Sequence, residues 1–66
     1  LICPMPGKLI ELFVKEGDQI ELGQNLCIVE AMKMENTLMS SLKGQVKKIN
    51  FKVNDLLKVD DIIIEF

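Results

Sequence analysis

Histidine, arginine, tryptophan and tyrosine are all missing from this 66-residue chain, and the absences narrow what it can do. Without histidine it lacks the side chain that titrates near neutral pH and the commonest metal ligand. The eight basic residues are all lysines and the net charge is −2. Nucleic-acid binders usually carry a basic excess and use arginine for bidentate contacts, so the composition argues against that class. No apolar run approaches the roughly 20 residues of a membrane span, and no signal-peptide pattern opens the chain. With three Phe as the only aromatic residues, the core has to be built from Ile, Leu, Val and Met.

What remains is enough for one small domain, expected to fill residues 1–66. A chain this short buries only about 60% of its unfolded surface. The hydrophobic content of 48% supplies a single core. Cys3 and Cys27 lack the paired spacing of a zinc site and are read as small core residues in a reducing compartment, the cytoplasm or alternatively the mitochondrial matrix. Lys47, Lys48 and Lys52 form a short basic cluster that reads as a solvated face. The chain opens without an initiator Met and closes on the apolar run Ile62-Ile63-Ile64-Glu65-Phe66, which leads us to expect a domain of a longer polypeptide.

Punctuation along the chain predicts strands. Leu1-Ile2-Cys3 stops at Pro4-Met5-Pro6-Gly7, where the prolines cannot donate to a ladder. Lys8 to Lys15 alternates in strand fashion up to Glu16-Gly17-Asp18, and Gln19 to Leu22 ends at Gly23-Gln24-Asn25. Leu26 to Val29 and Thr37 to Leu42 read as two further strands. Laying Gly7 on Gly44 gives an offset of 44 − 7 = 37, and the same register puts Lys15 on Lys52 and Asp18 on Asp55. It also pairs Leu9 with Val46, Leu12 with Ile49, Ile20 with Leu57, Leu22 with Val59 and Leu26 with Ile63. An ungapped repeat of this kind implies two copies of one supersecondary unit closing on a shared core, in an all-β sandwich or barrel.

Between the two central strands lies Glu30-Ala31-Met32-Lys33-Met34-Glu35-Asn36. A tight hairpin prefers Asn-Gly, Asp-Gly or Gly-X, and no such pair occurs here. Ala, Met, Lys and Glu also form helices well, and Ile28, Ala31, Met32, Leu38 and Met39 nearly fill one helical face, with Glu35 as the misfit. Periodicity leaves helix and hairpin open. If the segment is a hairpin, its tip breaks local turn rules, as functional sites tend to do. Glu30 and Glu35 have no histidine or nucleophile beside them, so they read as polar flanks rather than catalysts.

Ala31-Met32-Lys33-Met34, preceded by Glu30 and followed by Glu35-Asn36, resembles the attachment motif of biotin carboxyl carrier (biotinyl) domains. Pro4-Met5-Pro6-Gly7, Gly17-Asp18, Gly23-Gln24 and Gly44 resemble that family's turns, so the similarity covers the whole chain. It implies a flattened sandwich of two four-stranded antiparallel sheets with a pseudo-twofold axis, a barrel-sandwich hybrid, with the lysine at one end and the termini near the other. Two positions depart from the family pattern. Ser40-Ser41 replaces a common Ala-Pro, and Asn54 replaces a glycine, from which a positive φ is expected at Asn54.

The resemblance implies that Lys33 holds biotin by an amide made by a biotin protein ligase. Carboxybiotin then travels between biotin carboxylase and carboxyltransferase sites on other domains or subunits. Glu30 and Glu35 are then contacts for the ligase, and Met32 and Met34 adaptable apolar surface beside the tip, where their plain alternative is core packing. By itself the chain is expected to be a non-catalytic carrier. Biotin is the cofactor, and neither nucleic acid nor membrane is a partner. A lipoyl carrier of a 2-oxo-acid dehydrogenase is the first alternative, disfavoured because Met32 and Met34 bracket Lys33 where lipoyl domains usually place an acidic residue before it. An unmodified β-sandwich interaction module is the second. The direct run from Gly17 through Gly23 to Leu26 leaves no space for the inserted thumb of many acetyl-CoA carboxylase carriers. That makes the chain most like carriers at the end of propionyl-CoA or related acyl-CoA carboxylase α-subunits, or of pyruvate carboxylase.

Overall fold

The computed structural model describes residues 1–66 and contains eight strands and no helix. In chain order they are β1 (Gly7–Leu12), β2 (Gln19–Ile20), β3 (Asn25–Ala31), β4 (Met34–Met39), β5 (Gly44–Gln45), β6 (Lys48–Ile49), β7 (Leu56–Leu57) and β8 (Ile64–Glu65). One sheet has the order β4-β3-β1-β7, and the remaining strands pair as β2-β5 and β6-β8, all antiparallel. The all-β expectation therefore holds, and so does the hairpin over the helix. The second layer is finer than two continuous sheets. Segment 44–49 pairs with β2 at its start and with β8 at its end, changing partner where Val46 N–H donates to the Asp18 carbonyl (2.9 Å) and Lys47 N–H to the Glu65 carbonyl (2.7 Å). The observed strands also differ in extent from the sequence reading. The central hairpin runs longer towards its tip, through Ala31 and Met34, and the descending strand stops at Met39. Beyond it Ser40 is buried, and its hydroxyl accepts from Leu42 N–H (3.2 Å), bending the chain out of the ladder.

The repeat is a true pseudo-twofold. Gly17 N–H donates to the Val46 carbonyl (2.8 Å), and in the other half Asn54 N–H donates to the Leu9 carbonyl (2.6 Å). Gly23 N–H meets the Ser40 carbonyl (2.8 Å), and Asp60 N–H meets the Cys3 carbonyl (2.9 Å). Each bond maps on the other by exchange of residues in the register that lays Gly7 on Gly44. One turn chemistry serves four corners: Lys15–Asp18, Glu21–Gln24, Lys52–Asp55 and Lys58–Asp61. At each, the fourth N–H returns to the first carbonyl (3.0–3.1 Å). The fourth side chain accepts from the first N–H, at 2.9, 3.0, 2.8 and 2.8 Å in chain order. The third residue has the positive φ that a type II turn demands: Gly17 93°, Gly23 81°, Asn54 80° and Asp60 70°. Asn54 thus behaves as its place in the repeat predicts. Asp60 takes the same role without a sequence signal of its own.

Eleven buried side chains make the core, among them Leu9 and Val46, Ile20 and Leu57, and Leu26 and Ile63, all dyad mates. Each fully buried aliphatic chain contributes about 1.5–3 kcal/mol. Leu12 and Ile49 pack against the margin. Leu22 and Val59, which the register also matched, are 72% and 56% exposed. They occupy the second place of two of the turns, where the side chain points away from the sandwich, so they mark the repeat without joining its core. Bulges at Ile10 and Leu26 adjust the ladder, and the second lets the consecutive residues Leu26 and Cys27 both face inward. Cys3 and Cys27 are buried free thiols, as expected, and Cys3 Sγ donates to the Met5 carbonyl (2.8 Å). At the termini, Leu1 N donates to the Ile64 carbonyl (2.6 Å) and Ile63 N–H to the Leu1 carbonyl (2.8 Å). The chain ends thus hold, in the second half, the place that the β3–β4 hairpin holds in the first.

Candidate functional site

The β3–β4 hairpin closes with Ala31 opposite Met34, leaving Met32 and Lys33 as a two-residue loop. Their φ values are 52° and 65°, the signature of a type I′ turn. Neither residue is the Gly, Asn or Asp that such positions favour. Holding an ordinary side chain in left-handed backbone costs about 1–2 kcal/mol per residue. The hairpin keeps this turn because its arms are paired on through Cys27 opposite Leu38, and β3 is paired again to β1 on its other side.

The turn places the side chains as follows. Ala31 is buried, anchoring the base, while Met32 is 93% and Met34 65% exposed. Lys33 is exposed at the apex. Core packing for the two methionines is thereby ruled out. Glu30 and Glu35 are direct cross-strand partners and both are exposed, so two like charges stand side by side just below the apex. Lys8, on β1, is the other neighbour of Glu30 and puts one positive charge at the end of that row.

Three residues outside the predicted set complete the site. Asn36 Nδ2 points at the Val29 carbonyl (3.4 Å), the Met34 carbonyl (3.4 Å) and Met5 Sδ (3.7 Å). Gly7 has no room for a side chain: a Cβ there would collide with the Glu30 carbonyl oxygen and lie 2.8 Å from Val29 Cγ1. In sequence Pro4-Met5-Pro6-Gly7 reads as a turn, and nothing local signals its contact with the hairpin, which joins Met5 to Asn36, 31 positions along the chain. The tight Pro-X-Pro-Gly punctuation signals the turn alone.

The protein surface holds no pocket, and no cluster of His, Cys, Asp or Glu is arranged to bind a metal ion. Burial pushes the Cys27 thiol up to about 11, with Cys3 adding to the rise and the nearby N-terminal amine opposing it. The site therefore consists of one primary amine at the apex of a braced turn, flanked by two flexible thioethers and two carboxylates.

The Biotin_lipoyl family model, biotin-requiring enzyme, matches residues 1–66. The chain belongs to the biotin-requiring enzyme family. Among its relatives is the propionyl-CoA carboxylase alpha chain of Ruegeria pomeroyi, 50% identical over 66 residues, which are 100% of this chain and 10% of that relative. Mouse mitochondrial propionyl-CoA carboxylase alpha chain is 38% identical over 98% of this chain and 9% of its own. Mouse mitochondrial pyruvate carboxylase is 42% identical over 96% of this chain and 5% of its own. The chain thus spans a tenth or less of these curated relatives. The same fold occurs in a single-chain, multi-domain long-chain acyl-CoA carboxylase, with TM-score 0.91 and 22% identity over 97% of this chain and 6% of that one. It occurs also in Kluyveromyces lactis urea carboxylase, with TM-score 0.87 and 30% identity over 97% of this chain and 6% of that one.

The family's cofactor here is covalently held biotin, and the lipoyl alternative gives way to it. The residues present fit that group. An amide needs a primary amine that an acyl donor can reach, and Lys33 offers one at the apex without a pocket wall in the way. No helix is long and apolar enough to cross a membrane.

Proposed function

We propose that residues 1–66 form a biotinyl carrier domain and that Lys33 is its attachment residue. The observation that carries this reading is the two-residue turn of Met32 and Lys33, which holds an exposed amine at the apex in spite of its backbone cost. A biotin protein ligase presents biotinyl-adenylate, and the unprotonated amine of Lys33 attacks its acyl carbon. A C–N bond forms, the C–O bond to AMP breaks, and the amine gives up a proton, so the product is a neutral amide.

Biotin, when bound, supplies a ureido nitrogen that takes up and releases a carboxyl group. The chain supplies the rest. The Lys33 stem gives reach, and the sandwich gives a rigid base. Met32 and Met34 offer unbranched thioether surface that adapts to more than one partner. Glu30 and Glu35 present paired negative charge to the ligase. The chain's partners are a biotin carboxylase and a carboxyltransferase, domains or subunits of one assembly, where linkage raises the effective concentration of carrier at each site. Identity to propionyl-CoA carboxylase alpha chains favours an acyl-CoA as the final acceptor. We place the protein in the cytoplasm, with the mitochondrial matrix as the alternative suggested by relatives found there.

The test is incubation with biotin ligase, ATP and biotin, followed by peptide mapping. One biotin at Lys33 is expected, and none in Lys33→Arg, which keeps the charge and removes the attacking primary amine. Specific labelling of another of the eight lysines, or persistent labelling of the variant, overturns the assignment.

A further inference from the structure

We propose that Asn36 and Met5 form a latch that fixes the orientation of the hairpin, which makes both positioning residues for the modification of Lys33; this rests on the carrier reading above. Three features of the structure converge on it. First, β4 is the edge of its sheet, with β3 on one side and no strand on the other. The arm that leads away from Lys33 is thus held from one side only. Second, the turn it must hold is closed by two residues in left-handed backbone, so relaxation would splay the arms at the place where the amine has to be aimed.

Third, the Asn36 amide lies at the first inward-facing position below the closing pair, since Val29–Asn36 follows Ala31–Met34 down the ladder on that face. Its two hydrogens are shared among the Val29 carbonyl on β3 (3.4 Å), the Met34 carbonyl on β4 (3.4 Å) and the Met5 thioether of the preceding loop (3.7 Å). These are long contacts, and no one of them fixes the geometry. Together they tie both arms to a third segment that the flanking prolines Pro4 and Pro6 stiffen. Gly7 is what lets that segment approach, because any side chain there would strike the Glu30 carbonyl. An isolated hairpin would need only the pairing of its own arms. The extra tie to Met5 sets how the turn is inclined to the sandwich, and through it the direction in which Lys33 leaves the surface.

A latch predicts a loss in enzymatic labelling with none in the chemistry of the amine. Asn36→Asp keeps the side-chain size and removes both donor hydrogens, and Met5→Ala removes their outer acceptor. Each variant should lower kcat/KM for ligase-catalysed biotinylation about tenfold, with a share of the loss in kcat, because a misaimed amine reaches the attacking geometry less often once bound. Acylation of Lys33 by a small water-soluble N-hydroxysuccinimide ester, which asks only for an exposed amine, should stay within about twofold of the parent. The double variant should lose no more than the worse single, since the two residues make one contact. The proposal is overturned if both single variants are biotinylated at the parent rate, if the small ester slows in parallel with the ligase, or if the two losses multiply. Should Asn36→Asp fail to fold, Met5→Ala decides by the same pair of rates. A parent chain that the ligase does not label overturns the carrier reading instead, whereas a labelled parent with indifferent variants removes only the latch.

Discussion

Asn54 occupies the place of Gly17 across the pseudo-twofold, with φ of 80° against 93°, and the two N–H groups donate to carbonyls of dyad-related residues, Leu9 and Val46. At the third place of these two corners the difference is backbone freedom, while at the second Glu16 accepts from Ile49 N–H (3.0 Å) where its counterpart is Val53. Asn54→Gly should therefore raise stability by a few tenths to about 1 kcal/mol, the relief of left-handed backbone being partly offset by the greater freedom of glycine in the unfolded chain. A β-branched residue there should cost more than about 1 kcal/mol. Urea unfolding midpoints of Asn54→Gly and Asn54→Val check the sign of each.

Met32→Gly addresses the same backbone cost at the hairpin tip. The substitution should stabilise the fold by about 1 kcal/mol, because Met32 has φ of 52° and its side chain, 93% exposed, has no packing to lose. Labelling by the ligase should fall at the same time, through a higher KM. Opposite movements of the unfolding midpoint and of kcat/KM are the expected pair, and a variant that lost both would show the thioether to be structural.

Gly7→Ala should be among the costliest single-methyl additions in the chain. Its Cβ would meet the Glu30 carbonyl and Val29 Cγ1, and backbone cannot swing aside as a side-chain end can. A loss of about 2 kcal/mol or more is expected, a large share of the roughly 3–10 kcal/mol total for a domain of this length. Gly44→Ala is the control, since its Cβ would find only Leu42 Cδ1 at 3.4 Å. Denaturant titration of both should separate them clearly.

Cys27 links stability to alkaline pH. Its thiol is raised to about 11 by burial, with Cys3 adding to the rise. A raised pKa means that the folded state favours the protonated thiol, so this contribution is whole below the ordinary value near 9 and is lost as pH climbs from there through about 11. The loss amounts to about 2–3 kcal/mol at most. Measured from pH 8 to pH 11, the stability advantage of the parent over Cys27→Ala should shrink by that order, and the thiol should resist alkylation at pH 7 until the protein is unfolded.

Turns, repeat and the Met-Lys-Met motif are all legible in the sequence, because each is written in neighbouring residues. Asp18 and Asp55 cap their own turns three residues away, Gly17 supplies its own positive φ, and the register that lays Gly7 on Gly44 needs only the order of side chains. Lys33 between Met32 and Met34 stood out for the same reason. At Asp60 local logic fell short: Asp is a common turn residue, and only the dyad counterpart of Gly23 shows that it must be left-handed.

The hairpin itself was a tertiary decision. Residues 28–39 satisfy a helical face nearly as well as a strand pattern, and what selects the strand is the ladder to β1, where Leu9 and Glu11 pair with Val29 and Ile28. The same pairing fixes one methionine and a lysine, Met32 and Lys33, in backbone that no local preference would choose. Leu22 and Val59 look like core in the repeat yet lie on turns in solvent, because apolar character does not say which way a corner faces. The meeting of Met5 with Asn36 joins segments 31 residues apart and depends on Gly7 having no side chain. The order of residues alone settles which of them can turn and which can pair, and it sets Lys33 between two methionines. Which way Lys33 points was left to the closed sandwich, since direction comes from contacts between segments that the chain keeps far apart.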